Sequence, residues 1–365
     1  MSMASWGNAL YSGDKAYPFI AKRKIWVGAG AAVIVLAILL LVVRGLNPSI
    51  EFRGGSQFAL SNVATTEQQL AYDVMKENGI ADGVKVSQLG TDGLRVQSPD
   101  IGADRTADVR SALAEAYGIE DGDVDVTNIG PSWGADVTKK ALQSLVIFLV
   151  LVGMMMAFYF RSWTMSVAAL WALLHDVFLT VGFFAIVQVE VSPATVIGFL
   201  TILAYSLYDT VVVFDRVREL TKNVQQQSRF TFGELVNLAV NQTLVRSINT
   251  SIIALLPVGS ILFLGSFLLG AGTLTDISLA LFVGMAVGTV SSVFIAPSAL
   301  VMLEERRKGI GSHTKRILEG RKGSKAVKVG DADGSESVYE NVKVSAIAPG
   351  KHLGQAAQPK RKKRK

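Results

Sequence analysis

The chain has 365 residues, half of them hydrophobic, with 36 Lys and Arg against 30 Asp and Glu for a net charge of +6. It has no cysteine, which excludes disulfides, thiolate metal sites and cysteine nucleophiles. It holds three histidines and neither G-x-x-x-x-G-K-[ST] nor H-E-x-x-H, so an enzyme is the reading it supports least.

In chain order, residues 1–24 read as a cytoplasmic N-terminus carrying Lys15, Lys22, Arg23 and Lys24. Six apolar runs follow, at 25–43, 141–160, 165–187, 194–214, 245–265 and 277–302. Runs of about 20 apolar residues cross a bilayer core of roughly 30 Å as helices. The first run is longer than a signal-peptide core and no small-x-small cleavage site follows it cleanly, so it reads as an uncleaved anchor. The fifth is the least regular, being polar at its start and interrupted by Pro257. Lys and Arg cluster before the first run and after the second, fourth and sixth, whereas 188–193 and 266–276 contain none. By the positive-inside rule both termini are cytoplasmic and the long segment after the first run faces outside.

That segment, 44–140, is expected to be an extracytoplasmic domain. Over 45–138 it has 6 Lys and Arg against 15 Asp and Glu, a net −9, so the basic total hides an acidic outside and a basic inside. So acidic a surface does not suit nucleic acid or anionic lipid. Strands are expected at 56–60, 84–89, 94–97 and 124–129. Helices are expected at 65–78, capped by Thr65 or Thr66 and stopped by Gly79, and at 106–117, stopped by Gly118. The order βαββαβ is that of a ferredoxin-like α+β domain.

The remaining five spans, 141–303, form one bundle with a cytoplasmic connection at 215–244. Phe232, Leu235, Val236 and 238–240 in that connection fit a short amphipathic helix on the membrane face, or equally a solvated loop helix. Inside the bundle the costly residues stand out. Asp209 lies in the fourth run, where a central Asp costs about 2.5–3.5 kcal/mol on insertion scales. Such a group normally binds, pairs or moves a proton. Tyr205 and Ser206 precede it by four and three residues on the same face, Thr201 continues the stripe and Thr210 follows directly. The third run holds His175 and Asp176 well inside it. The fifth opens with Arg246, which shares a face with Asn249 and Thr250 and reads either as a snorkelling anchor or as the counter-ion of Asp209 or Asp176. In the sixth, Gly284 and Gly288 are spaced for close helix packing.

From residue 304 to 365 the chain carries 17 Lys and Arg against 7 Asp and Glu with no sustained apolar period, and reads as a disordered basic cytoplasmic tail. Its last six residues resemble a nuclear address. On a membrane chain, anionic lipid or ribosomal RNA is the expected partner, with a plain solubilising tail as the alternative.

Four stretches together resemble the SecF branch of the SecD/SecF family of bacterial protein-export subunits. They are Leu173-Leu174-His175-Asp176, the run from Tyr205 to Glu219, the run from Asn241 to Ser251, and Glu51-Phe52-Arg53-Gly54-Gly55 after the first span. The resemblance covers roughly residues 22–305. It implies six spans and an outer domain that pair with a homologous SecD half. It also implies a resemblance to proton-driven transporters of the resistance-nodulation-division type. In such a unit the proton gradient of the bacterial cytoplasmic membrane helps SecYEG and SecA move an unfolded polypeptide outward. Protons are then the coupling ion and no cofactor is needed. The key Asp and Arg of the family fall on Asp209 and Arg246. Two positions depart from its pattern: Glu51 stands for an expected Asp, and Tyr208 for the more usual Asn. Two other classes remain in play. A small-molecule exporter would be expected to have a second outer domain and a second six-span half, and a scaffold would use the buried charges only to hold helices.

Overall fold

The structure, a computed structural model, describes residues 3–265 and 272–323. The chain starts with α1 (Met3–Ser12) and α2 (Arg23–Val43), then β1 (Asn47–Pro48) and the single turn α3 (Ile50–Arg53). Next come β2 (Gly55–Leu60), α4 (Gln68–Glu77), β3 (Lys85–Leu89), β4 (Gly93–Ser98), α5 (Ala103–Tyr117) and β5 (Val124–Ile129). The rest is α6 (Pro131–Phe160), α7 (Trp163–Val187), β6 (Glu190–Val191), α8 (Pro193–Thr221), α9 (Phe232–Leu264), α10 (Gly272–Glu305) and α11 (Lys308–Gly323). Six of these helices, α2 and α6 to α10, are long and apolar enough to cross a membrane.

The four strands β2 to β5 form one antiparallel sheet in the order β3-β4-β2-β5, with Phe58 of β2 opposite both Val96 of β4 and Val126 of β5. Alternation along β2 sends Phe58 and Leu60 inward, where they meet Met75 of α4 and Leu113 of α5 in a closed apolar core. Gly118 ends α5 in the left-handed conformation, and Gly79 follows α4 at positive φ. Neither Thr65 nor Thr66 caps α4. That helix begins at Gln68, and Thr65 Oγ1 instead accepts the N–H of Glu67 in the preceding turn.

The Gly54-Gly55 pair joins the sheet to the bundle. Gly55 lies at φ 143°, and a side chain there would run into the Ser98 carbonyl. Gly54, at φ 78°, packs on Pro131, and Gly134 of α6 leaves room for the Phe52 carbonyl. Close backbone approach is the reason for glycine at these positions.

Several expected boundaries move. The second span begins at Pro131 rather than 141, because proline at the first helical position starts a helix whose polar turns, through Lys139 and Lys140, a hydropathy reading discards. The β-domain therefore closes at Ile129. The amphipathic piece of the 215–244 connection is not a separate helix. A capping box opens α9 at Thr231, whose Oγ1 accepts from Glu234 N while its own N–H reaches Glu234 Oε2. The helix then runs unbroken into the fifth span. The predicted disordered tail is also corrected over its first part. Glu304 and Glu305 end α10, and Ile310, His313 and Ile317 form the buried stripe of α11. Arg321 of α11 grips Glu234 with both guanidinium arms, at 2.5 and 3.0 Å. The tail beyond 323, with its terminal basic run, lies outside the described residues, as do 266–271 of the last connection.

Within the bundle, α7, α8 and α10 are the most buried spans. Small residues bring α8 and α10 together. A Cβ on Gly198 would sit 2.9 Å from Ala280 Cβ, one on Gly284 2.6 Å from Ile202 Cγ2, and one on Gly288 2.8 Å from Ser206 Cβ. Gly284 and Gly288 thus act at a close helix crossing. At the same end as α11, the N-terminal segment lies against α9, where Asn237 and Asn241 both donate to the Tyr17 carbonyl.

Candidate functional site

Asp209 and Asp176 are both buried in the middle of the bundle. Asp209 of α8 accepts hydrogen bonds from Ser247 Oγ of α9 at 3.0 Å and Ser292 Oγ of α10 at 2.8 Å. Asp176 of α7 accepts from Ser206 Oγ of α8 at 2.5 Å and Ser291 Oγ of α10 at 2.8 Å. Each carboxylate is held by two hydroxyls from two neighbouring helices. The adjacent pair Ser291-Ser292 serves one carboxylate each, which the step of about 100° between neighbouring helix positions allows.

His175 lies beside this centre. Its Nδ1 is 3.2 Å from Asp176 Oδ1, and the ring is packed under Gly30 of α2, where a Cβ would come within 3.4 Å of its Cδ2. His175 and Asp176 therefore meet each other, although adjacent side chains diverge on a helix. A second hydroxyl pair extends the polar layer, with Thr289 Oγ1 donating to Ser251 Oγ at 2.7 Å.

Arg246 is not at this centre. It is exposed, and its Nη2 donates to Tyr208 Oη at 3.4 Å on the outside of α8 and α9. No ion pair joins it to Asp209 or Asp176 among the described residues. The reason is helical register. Ser247 is the α9 residue that faces Asp209, so Arg246, one position earlier, is turned outward by about 100°, as is Tyr208 one position before Asp209. The pairing of Arg246 with either aspartate expected from sequence is thus absent from this chain by itself.

The supporting polar residues divide between the two regions. Ser206 and Thr210 are buried, and Tyr205 is half-buried. Thr201 is exposed: it stands seven residues from Tyr208, nearly two full turns, and shares that outward face rather than the face of Asp209. Asn249 is exposed beside Arg246, and Thr250 is intermediate. Along α8 the outward face includes Ile197, and along α9 Ile253 and Leu256. Ser247 and Ser292, the partners of Asp209, and Ser291, a partner of Asp176, are not among the residues expected from sequence. The available signal was two adjacent hydroxyls one turn after a Gly-x-x-x-Gly pair.

A hydroxyl-lined pair of buried carboxylates in a six-span bundle, with an α/β domain on the first long connection, defines a multi-pass membrane protein built round an acidic centre. Residues 109–306 match the family described as protein export membrane protein SecD/SecF, C-terminal, and residues 39–61 match the SecD/SecF GG motif. The chain belongs to the SecD/SecF family. It is 40% identical to the protein translocase subunit SecF of Streptomyces coelicolor, over 94% of this chain and 92% of that one. It is 38% identical to the SecF of Mycobacterium tuberculosis (strain CDC 1551), over 90% of this chain and 76% of that one. The crystal structure of SecDF, a translocon-associated membrane protein from Thermus thermophilus, superposes with a TM-score of 0.72 at 30% identity, over 81% of this chain and 39% of that one. The GG-motif match contains Glu51, Phe52, Gly54 and Gly55, the residues that join sheet and bundle.

Proposed function

We propose that the chain acts in protein export as one half of a membrane unit, and that protons taken up and released at Asp209 and Asp176 drive it. The observation that carries the proton reading is the centre itself. Two carboxylates are buried with four hydroxyl donors, and among the described residues neither pairs with Lys or Arg. Hydroxyl partners can serve either protonation state, because an O–H donates to a carboxylate and accepts from a carboxylic acid. A proton crossing 100 mV carries about 2.3 kcal/mol, enough to bias a helix arrangement.

The other half is read as a SecD protein, because the matched Thermus chain is a SecDF of which this chain spans 39%. The exposed Arg246–Tyr208 face is the surface we assign to it. The β-domain is read as ferredoxin-like, supported by the βαββαβ order and its antiparallel strand order. The Lys and Arg asymmetry supports cytoplasmic termini and an outward β-domain in the bacterial cytoplasmic membrane. SecYEG, SecA and the exported polypeptide are the partners that family membership suggests. Anionic lipid or ribosomal RNA is the partner suggested for the basic tail.

Export of a precursor into inverted vesicles, with and without a proton gradient, tests this. Asp209→Asn keeps the shape and removes the charge. It is expected to assemble normally and to lose the gradient-dependent part of export. Undiminished gradient-dependent export would leave the carboxylates as scaffold.

A further inference from the structure

The helix that carries Asp209 starts where the bundle meets the β-domain through a sheltered ion pair, Arg95–Glu190. β6, directly before α8, pairs in parallel with β1, Asn47 opposite Glu190 and Pro48 opposite Val191, and Ser49 N–H donates to the Val191 carbonyl at 3.0 Å. From the sheet, Gln97 Nε2 of β4 donates to Glu190 Oε1 at 2.7 Å, and Arg95 Nη1 to Oε2 at 3.3 Å. The Arg95 and Glu190 side chains are 18% and 17% exposed, so removing one partner leaves the other charge poorly hydrated and costs more than breaking a surface ion pair. Ser192 then closes a capping box with Thr195 on the first turn of α8.

The same junction reaches the other helix of the acidic centre. A cavity of about 280 Å³ is lined by Glu51, Arg95, Glu190, Ser192 and Asp276, the last in the first turns of α10. Lys85 of β3 is close by and hydrogen-bonds Asn47. Thus α8, bearing Ser206 and Asp209, and α10, bearing Ser291 and Ser292, both lead from the acidic centre to this polar seam. A helix is stiff along its axis, and an element packed at both ends shifts as a body.

We propose that Glu190 is a coupling residue: held by Arg95 and Gln97, it transmits displacement of α8 from the acidic centre to the β-domain. This rests on Asp209 as the group whose charge changes, so the test measures movement and involves no export. The absence of native cysteine makes two introduced thiols unique. Glu115→Cys on the exposed side of α5 and Val187→Cys at the exposed end of α7 carry spin labels, and the inter-label distance is measured in the full chain in lipid nanodiscs. Asp209→Asn, standing for the protonated state, is expected to shift the mean distance by more than the about 1–2 Å of an ordinary helix adjustment. In a Glu190→Ala background the shift is expected to vanish and the distribution to broaden. Arg95→Gln, which weakens the same grip from the β-domain side, is expected to reduce the shift partway. The exchanged pair Arg95→Glu with Glu190→Arg is expected to restore part of it. An Asp209→Asn shift of equal size with and without Glu190 would overturn the proposal, and so would no shift in the otherwise unaltered chain. A shift that depends on Glu190, in a chain whose export ignores the proton gradient, would support the coupling while removing the proton reading.

Discussion

The acidic centre and the Arg246–Tyr208 edge are built on the same two helices, one residue apart on each. Asp209 meets Ser247 inside the bundle, and Tyr208 meets Arg246 outside it. The inner pair is fully buried and held by helices of this chain alone. The outer pair is exposed, and its surroundings include large apolar side chains such as Ile253 and Leu256. A single step along each helix therefore separates what the bundle completes by itself from what it leaves for a neighbour. An Arg in the early part of a membrane helix, bonded to one tyrosine hydroxyl, is only partly satisfied, since a guanidinium has five N–H donors. Both oxygens of each inner carboxylate have a partner within this chain.

The largest effect is expected where both regions lose their frame. Gly284→Leu puts a side chain into Ile202 at the α8–α10 crossing, and such overpacking costs about 1–3 kcal/mol or more. A clear drop in the melting temperature of the purified chain, with loss of the Glu190-dependent spin-label distance, is the measurement. The next largest is Ser292→Ala, which takes one of two donors from Asp209. A hydrogen bond to a charged group is worth about 1.5–3 kcal/mol, so the melt should fall in proportion if Asp209 is charged. An unchanged melt would show that this hydroxyl is not supporting a charge. Arg246→Met should leave the melt of the isolated chain alone and weaken co-purification with a SecD partner. If it destabilised the isolated chain as much as Ser292→Ala, the division between centre and edge would fail. Arg246→Lys is expected to do least, since it keeps the charge and loses only the guanidinium fork. Equal loss with Lys and Met would indicate that the partner reads the guanidinium geometry.

Asp209, Asp176 and the six spans were legible because a charge inside an apolar run contradicts its surroundings. The β-domain was legible because its strands alternate and its helices end at Gly79 and Gly118. The hydroxyl partners were not, because Ser is common in membrane helices and only three-dimensional packing decides which serine points at which carboxylate. The placement of Arg246 failed for a related reason. Span-level reasoning locates depth well, but a rotation of about 100° separates adjacent residues, and depth alone does not fix rotation. α11 was obscured by its charge, since Ile310, His313 and Ile317 are the few buried positions in a strongly basic stretch. Glu190 was obscured by its place in a short connection between spans, where an acidic residue excites no suspicion.

The dipeptide Ser291-Ser292 gears the two carboxylates together. Both donors sit on one helix, α10, at adjacent positions. Any turn of α10 moves both hydroxyls at once. A variant that alters the hold of α10 on one acid is therefore expected to disturb the other as well.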